Sequence, residues 1–235
     1  MKTVKHMLSL TLVLVLTLSL TLVPVRAAEE TDGAAEAWKN PFADVRETDA
    51  FYGDVAFVCA EGLFNGTAAD AFEPGASMSR AMLAVVLYRL EGRPEGTARP
   101  KQVFTDVDPD SWYGPAVAWA AEGGLVKGIG GGLFDPDESV TRQDTAVVLA
   151  RYTEYTKLPY AVTMQFIEFP DQDKVAGYAS NAIQLTNKLG VLLRDADGQI
   201  APTRIATRAE LAGMLHRYVL MAKSMWENQD AQNAG

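Results

Sequence analysis

A set of spacings recurs three times along this chain, and that recurrence constrains the fold more than any single residue does. Phe42-Ala43-Asp44-Val45 returns as Phe104-Thr105-Asp106-Val107 and, more loosely, as Phe169-Pro170-Asp171. Each is followed by a Gly-apolar-apolar signal, at Gly62, Gly124 and Gly190. Ten residues beyond each glycine stands an apolar residue with proline two further on: Phe72 and Pro74, Phe134 and Pro136, Ile200 and Pro202. Six residues beyond each proline stands an arginine: Arg80, Arg142 and Arg208. A unit this short cannot bury an apolar face alone, so the three copies must pack on one another about a common axis.

Each copy reads as helix, loop, helix, which makes the fold mainly α. The first helix is predicted to run from near Thr48, Asp110 or Asp173 to the glycine, which ends it in the left-handed conformation. In the second copy Trp112, Ala116, Trp119, Ala120 and Leu125 recur at three and four residues, the period of a half-buried helix. The second helix begins at Ser79, Thr141 or Thr207. Thr207-x-x-Glu210 is a capping box, Thr141-x-x-Asp144 a weaker one, and Ser79 keeps the cap alone.

Around the copies the chain divides into residues 1–27, 28–40 (an acidic segment), 41–92 (copy one), 93–103 (linker), 104–156 (copy two), 157–168 (linker), 169–219 (copy three) and 220–235 (a tail that begins helical and ends polar). Lys2 and Lys5 precede an apolar run from Leu8 to Val23, and small residues sit at the exit, Val25 and Ala27, so residues 1–27 read as an export signal and not a permanent membrane span. The only cysteine, Cys59, has no internal partner and reads as a small apolar side chain on a helix. Residues 1–27 carry three basic and no acidic side chains, so the rest holds 18 positive against 30 negative groups. No basic face for nucleic acid is visible in that balance.

These motifs resemble the S-layer homology family: the Phe-x-Asp-Val opening, an aromatic at the start of the first helix, a Gly-apolar-apolar-x-Gly loop, a Phe-x-Pro, and a Thr-Arg-Ala-Glu at the second helix. The resemblance covers roughly residues 40 to 218. It implies three repeats packed with pseudo-threefold symmetry, exported to the cell wall or cell surface. It also implies a noncatalytic role, anchoring to secondary cell wall polysaccharide, often pyruvylated, through grooves between copies that include the motif arginine. A second reading is an envelope protein that uses the repeats as a scaffold to assemble with copies of itself or with another envelope protein.

The arginines carry the most information. Each follows a helix N-cap, where the positive end of the helix dipole disfavours another cation, so a negative partner is expected. Two remain open: an internal carboxylate, Asp44, Asp106 or Asp171, or an external anion on a glycan held by the guanidinium and helix-start N–H groups. The rings Phe51, Tyr52, Trp112, Tyr113 and Tyr178 either stack on a sugar or lock the first helix to the core. Gly66 and Gly128 either admit a ligand close to the backbone or satisfy a positive-φ turn. Copy three departs from the pattern: Arg194 replaces the second loop glycine and Tyr178 replaces Trp. The best site is therefore expected around copy two, in grooves shared with its neighbours.

Other chemistries find little support. His6 lies in the signal, which leaves His216 alone, so histidine triads and Cys/His zinc sites are excluded. Gly128-Ile129-Gly130-Gly131-Gly132 lacks the Lys-Ser/Thr of a phosphate loop. Asp135, Asp137, Glu138, Asp195 and Asp197 lack EF-hand spacing and read as solvated turns, so no cofactor or metal is expected. The linker around Val162, Met164, Phe166 and Ile167 reads as a short strand or an extended clasp.

Overall fold

The computed structural model describes residues 38–93, 103–161 and 165–233. The predicted signal, most of the acidic segment, most of the first linker, Val162 and Met164, and the last two residues lie outside them. Among the described residues six α-helices form: α1 Tyr52–Ala60, α2 Arg80–Leu90, α3 Gly114–Glu122, α4 Arg142–Tyr155, α5 Ser180–Lys188 and α6 Arg208–Asn233. Two 3-10 turns, Gln172–Lys174 and Gly177–Ala179, precede α5.

The second helices begin where their caps dictate. Ser79 accepts from the Met82 amide, Thr141 and Asp144 form a reciprocal box, and Thr207 and Glu210 form another. The first helices end as their glycines require. Gly62, Gly124 and Gly190 have φ of 67°, 71° and 70°. The next amide reaches five residues back, Leu63 to Val58, Leu125 to Ala120 and Val191 to Thr186, so helix-end carbonyls that would be orphaned are bonded.

Two boundaries differ from expectation. The first helices start later than Thr48, Asp110 and Asp173, because those residues are spent in turns: Asp108 accepts from the Asp110 amide, and 3-10 turns occupy the third copy. At the other end α6 runs through the polar tail to Asn233, held by Val219, Met221, Met225 and Trp226 against the core. The second linker forms no strand among the described residues. There Ile167 is clasped by Gln184, whose side chain donates to its carbonyl at 2.6 Å and accepts from its amide at 3.0 Å.

The copies close into a ring by exchanging partners. The first helix of each copy packs on the second helix of the copy before it: α3 on α2, α5 on α4, and α1 on α6. At the centre, the Val140 amide donates to Met78, that of Met78 to Ala206, and that of Ala206 to Val140. Around this closed triangle the helix starts are tied across copies: Arg80 and Ala81 amides to Glu138 and Pro136, Arg142 and Gln143 to Arg204 and Pro202, Arg208 and Ala209 to Ala76 and Pro74. Free N–H groups of each helix start are therefore spent on the next copy's Phe-x-Pro turn. Leu87, Leu149 and Leu215 fill the core, as do Phe72, Phe134 and Ile200, all fully buried. Each is worth roughly 1.5–3 kcal/mol.

Candidate functional site

The three arginines stand at the seams between copies. Arg80 donates from Nε to the Phe134 carbonyl (2.7 Å) and from Nη2 to that of Lys127 (2.7 Å). Arg142 does the same to Ile200 (2.8 Å) and Leu193 (2.9 Å), and Arg208 to Phe72 (2.7 Å) and Asn65 (2.8 Å). Each guanidinium therefore grips the loop of the following copy, and Arg80 and Arg208 lie 4.5 Å over the Phe134 and Phe72 rings. Carbonyl dipoles thus face all three guanidiniums, and Arg142 also meets a carboxylate, Glu210, at 3.0 Å; the internal partner the sequence offered as one of two, the aspartate, holds the loop instead. Burial lowers all three pKa values, but an arginine remains charged.

Asp44, Asp106 and Asp171 hold the same loops from the other side. Asp44 accepts from the Phe72 and Glu73 amides at 2.9 and 2.7 Å, Asp106 from Phe134 and Asp135 at 2.8 and 2.7 Å, and Asp171 from Ile200 and Ala201 at 3.0 and 2.8 Å. The second residue of each pair has positive φ: 56° at Glu73, 58° at Asp135 and 50° at Ala201. That conformation costs a non-glycine residue about 1–2 kcal/mol, which a charge-assisted pair of bonds offsets.

Gly66 and Gly128 serve packing, and neither has positive φ. A Cβ on Gly66 would meet the Phe42 ring at 2.6 Å and the Ala71 carbonyl oxygen at 2.7 Å. In copy three Arg194 occupies this place and lies 5.0 Å over Phe169 instead. The rings divide into two groups. Phe51, Tyr52 and Tyr113 are half-buried against the core, whereas Trp112 and Tyr178 are 64% and 63% exposed. Trp112 meets Tyr113 edge-on at 5.2 Å and heads the helix that packs on α2. His216 pairs through Nδ1 with Asp54 (2.7 Å) and stacks on Phe57 (4.1 Å).

One seam opens into a groove of about 190 Å³. Arg80, Lys127 and Arg151 line it, with Asp144 as the opposing charge, Gly128 and Phe134 on the loop side and Tyr178 at the rim. Asp144 is engaged by the hydroxyls of Tyr178 (2.7 Å) and Thr141. Three cations and one carboxylate line the groove, and Asp135, Glu138 and Asp106 also act on Arg80 electrostatically. A concave, donor-lined hollow of this kind can hold a carboxylate or phosphate group beside a stacked ring. Of the residues singled out from sequence it gathers Arg80, Gly128 and Tyr178. Trp112, Phe51, Tyr52, Arg142 and Arg208 do not line it.

Sequence reasoning read Asp144 only as a helix cap and passed over Lys127 and a second repeated arginine. Arg89, Arg151 and Arg217 follow Arg80, Arg142 and Arg208 by nine residues each and donate to the loop carbonyls of Leu63, Leu125 and Val191. Their constant spacing was a readable signal.

Comparison with known proteins returns the same three units. The S-layer homology domain model matches residues 41–82, 103–146 and 168–212. An endoglucanase of Bacillus sp. (strain KSM-635) is 28% identical over 215 residues, 92% of this chain and 22% of the enzyme. The S-layer protein sap of Bacillus anthracis is 26% identical over 191 residues, 80% of this chain and 21% of that protein. The cellulosome-anchoring protein of Acetivibrio thermocellus is 26% identical over 148 residues, 62% of this chain and 33% of that protein. The chain spans a third or less of the length of each. Among the described residues no helix is long and apolar enough to cross a membrane.

Proposed function

Since the chain belongs to the S-layer homology family, and its relatives include an S-layer protein and a cellulosome-anchoring protein, we propose that it is a noncatalytic module that holds to an anionic secondary cell wall polysaccharide through its inter-repeat grooves. The observation that carries this reading is the Arg80 groove, where three cations converge in a hollow beside an exposed phenol. A chain of net charge −9 is repelled at long range by an acidic wall. Adhesion must come from a few matched contacts at short range, and a pyruvate ketal or other sugar carboxylate suits a groove lined by Arg80, Lys127 and Arg151. Arg80 and Arg151 also brace the fold through carbonyls, whereas the Lys127 side chain is exposed and its part in the seam is played by its carbonyl. Lys127 is therefore the clean probe.

Binding to purified sacculi is expected to fall when the polysaccharide is chemically stripped, and Lys127→Glu is expected to weaken it about tenfold with an unchanged melting temperature. Binding that survives stripping would instead favour the protein-assembly scaffold. Equal binding by wild type and Lys127→Glu would remove the groove from the reading.

A further inference from the structure

The three seams share one plan but differ in what meets the third nitrogen of the arginine. In each, Nε and Nη2 are spent on two loop carbonyls. Arg142 Nη1 meets the third residue of the next copy's second helix, a position held by Glu210 in that seam, by Asp144 in the copy after Arg80 and by Met82 in the copy after Arg208. In the Arg142 seam that residue is Glu210, whose Oε1 accepts from Nη1 at 3.0 Å. Arg204 donates to both oxygens of the same carboxylate, and the Thr207 amide donates to Oε2 at 3.1 Å. In the Arg80 seam Asp144 is one methylene shorter, and its oxygens are taken by Thr141 and Tyr178.

The difference is reinforced by the fourth residue before each arginine, which is Ala76, Glu138 or Arg204. Only copy three supplies a cation there, and that cation pins the carboxylate against Arg142. With Glu210 in place, every nitrogen of Arg142 has a protein partner and its side chain is 10% exposed.

We propose that Glu210 is an internal competitor: its carboxylate, held by Arg204, fills on Arg142 the place that a saccharide carboxylate takes in the Arg80 groove, so this seam is shut to acidic ligands. This rests on the reading of the Arg80 groove as an anion site. Removing the Glu210 carboxylate takes the bonded anion from Arg142 and Arg204 and leaves Asp195 as the remaining carboxylate that acts on Arg142, and the seam becomes a second site.

The test uses the full chain and a methyl glycoside of a 4,6-pyruvylated hexosamine as probe, with the Nε–Hε resonances of Arg80 and Arg142 followed by NMR and the stoichiometry by calorimetry. In wild type the Arg80 signal is expected to move on titration and that of Arg142 to stay still. In Glu210→Gln, which keeps an oxygen for the Thr207 amide, the Arg142 signal is expected to move as well, with one added site per chain. A thermal scan verifies folding. Should that variant fail to fold, Arg204→Ala loosens the carboxylate without removing it, and the Arg142 signal is then expected to respond at higher probe concentration. An Arg142 signal that stays silent in the folded variant while Arg80 responds overturns the competitor and leaves the groove reading standing. A silent Arg80 with a responsive Arg142 does the reverse, and silence at both removes both.

Discussion

The ring edge of Phe104 stands 2.7 Å from the point where a Cβ on Gly128 would lie, and the Leu133 carbonyl oxygen closes on the same point at 2.5 Å. The opening phenylalanine of the motif and the second loop glycine are thus one packing unit, which explains why both recur together in copies one and two. Gly128→Ala is expected to cost about 1–3 kcal/mol, since backbone and ring must both shift. Gly53 on α1 is the control: nothing lies within 4 Å of its Cβ position, and Gly53→Ala is expected to gain up to about 1 kcal/mol. Urea denaturation of the two variants checks the pair, and equal midpoints would refute the packing account.

Acid should loosen the loops before the helices. The Asp44 and Asp106 carboxyls lie below their ordinary value of 3.8: burial pushes them up, but the loop amides of Phe72 and Glu73, or Asp135 and Phe134, together outweigh it. A depressed carboxyl contributes stability above its unfolded pKa and loses it as pH falls through the folded one. The melting temperature is expected to drop as pH falls from about 4 downward, and less steeply in Asp44→Asn and Asp106→Asn, which start lower. Parallel slopes in wild type and variants would show that these carboxylates do not carry the acid sensitivity.

Cys59 should be chemically quiet while the ring is closed. Burial pushes its thiol up to about 11, against which Arg208 acts weakly in the other direction. At pH 8 the thiolate fraction is then on the order of one in a thousand. Alkylation by iodoacetamide is expected to be at least tenfold slower in buffer than in denaturant; equal rates would mean that α1 leaves the core on the timescale of labelling.

Much of this architecture is legible in one dimension and some of it is not. Cap residues and loop glycines act within a few residues of themselves, so Ser79, Thr141, Thr207, Gly62, Gly124 and Gly190 mark their helix ends directly. The starts of α1, α3 and α5 are hidden because turns and 3-10 segments use the same polar residues that cap helices. Exchange between copies is hidden for a different reason. Arg80 bonds Phe134 across 54 residues, and no spacing within a repeat reveals which copy's loop an arginine will meet. Arg151 was within reach of the same periodicity that singled out Arg142.

The ring closes at a seam unlike the other two. Eight residues before each loop glycine stand Asp54, Ala116 and Ala182, and eight after each seam arginine stand His216, Tyr88 and Ala150. On α1 and α6 these are the pair Asp54–His216 at 2.7 Å, with Phe57 stacked on the imidazole; on α3 and α2 the corresponding contact is the edge of Tyr88 against Trp119 at 5.6 Å. A third residue changes in step. Gly213 replaces the Val85 and Val147 of the other second helices, and a Cβ there would stand 2.8 Å from Asp54 Oδ2. The first and last copies are therefore joined by a polar contact where apolar packing joins the others. Asp54→Ala removes one partner of a half-buried bond and is expected to cost about 1–3 kcal/mol, concentrated at this seam. Native-state hydrogen exchange should then show α1 and α6 opening faster while the α2–α3 and α4–α5 pairs keep their protection. A loss of protection spread evenly over all six helices would mean that the ring opens only as a whole, and that the polar seam is no weaker a joint than its neighbours.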